Sequence, residues 1–239
     1  MKWLWDWPTG PYPSEVYMLK QTLQIAIDGP AGAGKSSVAK VLAKRLNCIY
    51  LDTGAMYRAV TWLAMQQNIA FDDLAALGRL LETLQLQFKE DNGVQRLYCN
   101  GVDVTEAIRS TEVSANVSAI AMIPLVREAL VAQQQRIAAD CDVLMDGRDI
   151  GTTVLPHAQY KFFLTASLEE RARRRYLELQ EKGVAVDLEQ LKQDIAQRDQ
   201  KDSQRAVSPL VQAPDAELID TSHLTFEEVV EKLFYKIAK

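Results

Sequence analysis

Residues 23–37 read LQIAIDGPAGAGKSS, a short apolar run that ends in an aspartate and opens into a glycine-rich turn closed by Lys35 and Ser36. Gly29-x-x-x-x-Gly34-Lys35-Ser36 has the spacing of a phosphate loop lying between a strand and a helix. Its glycines let backbone N–H groups turn inward around phosphates, its lysine reaches the β- and γ-phosphates, and its hydroxyl can ligate Mg²⁺. A helix beginning at Lys35 adds the positive end of its dipole. Gly29, Pro30, Ala31, Gly32, Ala33, Gly34, Lys35, Ser36 and Ser37 are therefore the candidate contacts to a phosphate donor, with Ser36 as the expected Mg²⁺ ligand.

The opening run is one of five. CIYLDTG (48–54), CDVLMDG (141–147), YKFFLTA (160–166) and AELIDT (216–221) are also apolar and also close in a polar turn. Nearly continuous apolar strands separated by helical patterns predict a parallel sheet covered on both faces, the doubly wound α/β class. Helices are expected at 35–46, 55–67, 73–84, 124–139, 168–182, 187–201 and 225–238. Residues 84–104, LQLQFKEDNGVQRLYCNGVDV, break this alternation with a period of two around Asn92-Gly93 and Asn100-Gly101, which predicts a small antiparallel insert. Two uses of that insert stay open, a plain surface hairpin and a subdomain on the substrate side.

Composition narrows the classes. At 239 residues with 48% hydrophobic residues the chain can build a sizeable core as one domain, expected over 23–239. A formal charge of −5 argues against general nucleic-acid binding. The apolar runs are strand-sized, short of the roughly 18 residues a membrane span needs, so no membrane segment is expected. Cys48, Cys99 and Cys141 form no CxxC, which points to a reducing compartment, the cytoplasm by default. His157 and His223 have no partner at ligand spacing, and no protein metal cage is visible. Residues 1–22, with Trp3, Trp5 and Trp7 ahead of a proline cluster, are expected to be an extension outside the domain.

A phosphate loop serves motors, switches and kinases alike, so the acceptor must be read from the other strand ends. Asp52-Thr53-Gly54-Ala55-Met56-Tyr57-Arg58 follows the second run and places a hydroxyl and an arginine on a turn entering a helix. Asp146-Gly147-Arg148-Asp149 follows the third. Arg198, Asp202 and Arg205 recur at i, i+4 and i+7, on one helical face if the helix reaches that far. Forked guanidinium groups beside a carboxylate suit a phosphorylated sugar, although a solvated face of intrahelical pairs would have the same pattern. No NKxD-like guanine reader occurs, which argues against a GTP switch.

Taken together, GPAGAGKSS, DTGAMYR, VREAL, DGRDIGTTV, SLEERARRRYLELQEKG and RDQKDSQRAVSPL resemble, in order and wording, the bacterial cytidylate kinases, over about residues 23–238. The resemblance implies a P-loop kinase fold with an antiparallel insert (about 84–104) and a helical lid (about 167–183). It implies ATP-dependent phosphorylation of CMP or dCMP with Mg²⁺. By matching position, Ser118, Arg127 and Asp149 would hold the cytosine ring, and Thr53 would contact the bound nucleotide. Arg58, Arg148 and Arg205 would meet the CMP phosphate, and Arg198 and Asp202 the ribose. Arg171, Arg174 and Arg175 would close over ATP, while Lys201 stands where relatives can carry arginine and Arg173 matches less well. Lys35, Arg148, Arg174 and Arg205 are the expected catalytic set. A carboxylate at 149 would attract the cytosine amino group and repel the O4 of uracil. It could instead pair with Arg148 or cap its turn. Asp146 could steer Mg²⁺ through water or serve as a structural aspartate. The alternative acceptors on such a fold are UMP, shikimate and dephospho-coenzyme A. The partners expected are small molecules alone, acting on a monomer.

Overall fold

In the computed structural model the described residues are 22–91, 94–181 and 183–238. The tryptophan-bearing extension through residue 21 and the Asn92-Gly93 turn lie outside them. The strands are β1 (Gln24–Asp28), β2 (Ile49–Asp52), β3 (Leu86–Asp91), β4 (Val94–Cys99), β5 (Val102–Asp103), β6 (Val143–Asp146), β7 (Tyr160–Thr165) and β8 (Glu217–Asp220). The helices are α1 (Lys35–Leu46), α2 (Thr53–Gln66), α3 (Leu74–Glu82), α4 (Thr111–Ala121), α5 (Pro124–Asp140), α6 (Leu168–Glu181), α7 (Leu188–Gln204) and α8 (Phe226–Ile237). Two compact units emerge, Ala55–Val126 and, separately, Thr22–Gly54 with Arg127–Lys239.

The five apolar runs form the sheet of the second unit, all parallel, in the order β2-β6-β1-β7-β8. Ile25, Ala26 and Ile27 of β1 and all four residues of β6 are buried, because helices cover both sheet faces and no position alternates to water. Val38 and Leu42 of α1 pack with Val229, Val230 and Leu233 of α8 into the same core as Ile25, Leu144 and Leu164. Each such side chain contributes roughly 1.5–3 kcal/mol by leaving water. The loop can leave β1 as it does only through glycine: Gly29 has φ +143°, and a Cβ there would lie 1.9 Å from the Leu164 carbonyl oxygen.

In the unit formed by Ala55–Val126, β3, β4 and β5 make the antiparallel insert. Asn100 and Gly101, with φ of 49° and 82°, close β4 onto β5 as a two-residue turn whose left-handed pair matches the strand twist. Asp91 of β3 pairs with Val94 of β4.

Several elements differ from expectation, α2, α7 and α4 among them. Helix α2 starts at Thr53, two residues early, so the strand runs straight into the helix without the expected turn. Helix α7 reaches Gln204, beyond the expected 201. Helix α4 was not expected at all; its β-branched and serine-rich TEVSANVSAIA has poor intrinsic helicity, and the burial of Val113, Val117 and Ile120 at helical spacing compensates. Its signal was Ser110, which caps the Val113 N–H at 3.3 Å. Among the described residues no single helix is long and apolar enough to cross a membrane.

Candidate functional site

The phosphate loop follows the middle strand of the sheet, and α1 begins at its lysine. Lys35 is only 5% exposed, and its Nζ donates to the Pro30 carbonyl at 2.7 Å. Burial, then the Arg148 guanidinium, push its pKa well below the usual lysine value, and Asp146 and Asp28 oppose them. A lysine amino group folded onto its own loop carbonyl could exchange that oxygen for a phosphate oxygen.

Behind it stands Asp146, at the end of β6. Ser36 Oγ donates to Asp146 Oδ2 and the Tyr50 hydroxyl to Oδ1, each at 2.7 Å. Thr53 Oγ1 donates to the Asp146 backbone carbonyl at 2.8 Å. Strand register places Asp52 beside Asp146, and burial, followed by this second carboxylate, raises the Asp146 pKa. Among the described residues no group of three or more His, Cys, Asp or Glu is set to hold a metal. Mg²⁺ does not require one: it keeps several waters and uses few protein oxygens. The Ser36 hydroxyl, with the buried Asp146 carboxylate at 2.7 Å, is a donor set that fits it.

The DGRD segment and the end of α7 meet in a second cluster. Asp149 Oδ2 accepts from Arg127 Nη2, and Asp149 Oδ1 accepts from Arg205 Nη2 at 3.2 Å. All three residues are buried. Arg148 does not pair with Asp149; its Nε donates to Asp202 Oδ2 at 2.9 Å. Asp149 does not cap the turn that follows it either, since its side chain makes no capping bond. The pairs at 148, 202, 149 and 205 join separate elements, so the charged face of RDQKDSQR is not a row of intrahelical bridges. Arg205 lies just past α7 in an extended conformation, and its Nε donates to the Ser208 carbonyl. Arg198 is half-buried on α7, and Lys201 is exposed. Arg58 on α2 and Ser118 on α4, both half-buried, belong to the Ala55–Val126 unit.

Helix α6 sets Arg171 and Arg174 against the loop. Arg171 donates to the carbonyls of Ala166 and Ala31 at 3.0 Å and to Asp199 of α7 at 2.5 Å. Arg174 donates to Glu170 at 2.9 Å and to both oxygens of Thr221, with Nη1 lying 3.8 Å from where a Cβ on Gly34 would be. Arg173 and Arg175 pair with Glu170 and Glu178. His157 and His223 are exposed.

Four residues in this network carry no motif signal: Asp28, Tyr50, Asp199 and Thr221. Asp28 ends β1, Tyr50 lies within β2, Thr221 follows β8 and Asp199 is on α7, and only the tertiary fold gives each its partner.

The protein-family model described as cytidylate kinase matches residues 25–239. The cytidylate kinase of Shouchella clausii (strain KSM-K16) is 54% identical over 209 residues, 87% of this chain and 93% of that protein. That of Lactiplantibacillus plantarum (strain ATCC BAA-793 / NCIMB 8826 / WCFS1) is 52% identical over 222 residues, covering 93% and 97%. A crystal structure of an uncharacterized protein from Eubacterium ventriosum ATCC 27560 shares the fold, with a TM-score of 0.50 at 14% identity over 92% of this chain and 99% of that one. With a phosphate loop facing an arginine–carboxylate cluster in the segments that match, this chain belongs to the cytidylate kinase family.

Proposed function

We propose that this protein transfers the γ-phosphate of ATP to CMP or dCMP, giving ADP and CDP or dCDP. The observation that carries the reading is the buried Asp149 carboxylate, held by Arg127 and Arg205 beside the strand end that faces the phosphate loop. Each carboxylate oxygen has two lone-pair sites and spends one on an arginine, which leaves acceptor capacity for the N4 amino group of cytosine. Uracil would present O4 to the same carboxylate, and a good polar contact to a base edge is worth about 1–3 kcal/mol.

The acceptor's phosphate oxygen is itself the nucleophile, so the protein's task is to align the oxygens and neutralise charge. Lys35 would leave the Pro30 carbonyl for the β- and γ-phosphates. Arg148 spends Nε on Asp202 and Nη1 on the Gly147 carbonyl, and the remaining N–H donors of its fork would take the CMP phosphate along with Arg58 and Arg205. Arg198 and Asp202 would hold the ribose, Ser118 and Arg127 the base, and Thr53 the bound nucleotide. Gly29, Pro30, Ala31, Gly32, Ala33, Gly34 and Ser37 would line the ATP phosphates. Mg²⁺ would be held by Ser36 with Asp146 behind it, and would supply charge neutralisation across the β- and γ-phosphates. Helix α6 would act as the lid, with Arg171 fixing it to the loop and Arg174 and Arg175 turned to the phosphates, so that water is excluded. A cytoplasmic monomer is part of the same reading.

Product analysis tests it. Incubated with Mg·ATP and CMP, the protein should release CDP and ADP in equal amounts. Release of ADP without CDP would mean that CMP is not the acceptor.

A further inference from the structure

We infer that Asp28 is a positioning residue for the acceptor site: its carboxylate clamps the consecutive N–H groups of Ile150 and Gly151 and so sets where Arg148 and Asp149 stand relative to the donor loop. The inference rests on the cytidylate kinase reading. Asp28 is the last residue of β1, directly before Gly29, and is 3% exposed. Its Oδ1 accepts from the Ile150 N–H at 2.8 Å and its Oδ2 from the Gly151 N–H at 2.7 Å.

What these two bonds accomplish follows from the backbone they hold. Ile150–Val154 is a single wide turn of π type, closed by the Val154 N–H on the Asp149 carbonyl and the Leu155 N–H on the Ile150 carbonyl. The first N–H groups of any helical turn lack partners within it, and an aspartate at the N-cap ordinarily supplies them from its own side chain. Asp149 occupies that position and makes no such bond. Asp28 supplies the acceptors from another strand, so the Asp149 carboxylate is released from capping and turned to Arg127 and Arg205. An asparagine at 28 would offer one acceptor oxygen, and its amide N–H₂ would face the second backbone N–H.

The partner side is shaped for the same contact. A Cβ on Gly151 would stand 3.3 Å from Asp28 Oδ2 and 3.2 Å from Lys161 Cδ, so glycine is what allows the close approach. The arrangement is also expensive in stability. Burial, with Asp149 nearby, lifts the Asp28 pKa to about 6 against the two N–H bonds and Lys35. A residue kept only for stability would not be a buried carboxylate next to another one.

The test compares CMP and ATP binding by calorimetry, thermal midpoints, and kcat/KM for CMP and UMP, in the wild-type protein, Asp28→Asn and Gly151→Ala. Loss of one charge-assisted bond and misplacement of the turn should weaken CMP binding about tenfold in each variant and narrow the CMP-over-UMP preference. ATP affinity should stay within about threefold, and the thermal midpoint of Asp28→Asn should be unchanged or raised. The losses in the double variant should fall short of additivity, because both act on one contact. If Asp28→Asn does not fold, Gly151→Ala reads the same contact from the other side. Wild-type CMP affinity and selectivity in the variants, or ATP affinity falling as far as CMP affinity, would overturn the inference. A wild-type protein that itself fails to bind CMP would instead sink the reading of the acceptor site beneath it.

Discussion

Lys35 and Asp28 show how a single side chain can trade stability for a prepared site. Lys35 is buried as a cation against a carbonyl, with its pKa pushed down by burial and by Arg148. Lys35→Ala should leave the thermal midpoint unchanged or higher while lowering turnover with CMP by at least about a hundredfold, the scale on which one preorganised donor acts. Near-normal turnover would remove the loop lysine from the mechanism. The Asp28 carboxyl titrates at about 6 in the folded chain against an unperturbed value of 3.8, so folding favours its neutral form. The stability it contributes is fully present below pH 3.8 and is lost as pH rises through about 6. Thermal unfolding should therefore favour Asp28→Asn over wild type at pH 8, by at most about 3 kcal/mol, with the gap closing as the pH falls to 4. A gap that widened on acidification would contradict this sign. Lys35, Ser36 and Asp149 stand out in the sequence because each sits in a recognisable motif, and each proves to be tied into a network of partners around the strand ends. Asp28 and Tyr50 do not, since their partners Ile150, Gly151 and Asp146 are more than ninety residues away along the chain.

Elements were easiest to read where periodicity and burial agree. The five apolar runs became the five parallel strands, buried on both faces at β1 and β6 in the middle of the sheet, and Asn100-Gly101 became a tight turn because its two residues accept left-handed backbone. Helix α4 escaped notice because its helicity comes from tertiary burial of three residues rather than from propensity. The end of α7 was misjudged because a charged run carries no stop signal short of Arg205. Helix α8 is marked at its start by a reciprocal cap, the Glu228 N–H on Thr225 Oγ1 at 3.2 Å and the Thr225 N–H on Glu228 at 2.8 Å. Thr225→Ala should cost about 1 kcal/mol in urea unfolding with turnover unaffected. Leu42→Ala, which opens a hole where α1 and α8 share the core, should cost about 2–5 kcal/mol. A smaller loss from Leu42→Ala than from Thr225→Ala would contradict the packing described for that face.

At the scale of the whole molecule, an acidic chain of net charge −5 concentrates arginines around the strand ends, so its affinity for phosphates is local rather than a property of its surface. The phosphate loop follows β1 and the arginine–carboxylate cluster follows β6, its neighbour in the sheet, so strand order alone would bring the two halves of the proposed transfer site to adjacent strand ends. Family membership names the chemistry, and Asp149 is the residue proposed to decide the choice of base. The direct test is the ratio of kcat/KM for CMP to that for UMP, measured with Mg·ATP in the wild-type protein and in Asp149→Asn. The wild-type ratio should be at least about tenfold in favour of CMP and should collapse toward unity in the variant, because the amide can face either O4 or N4. Equal rates with UMP and CMP in the wild type, or an undiminished preference for CMP in Asp149→Asn, would contradict the account.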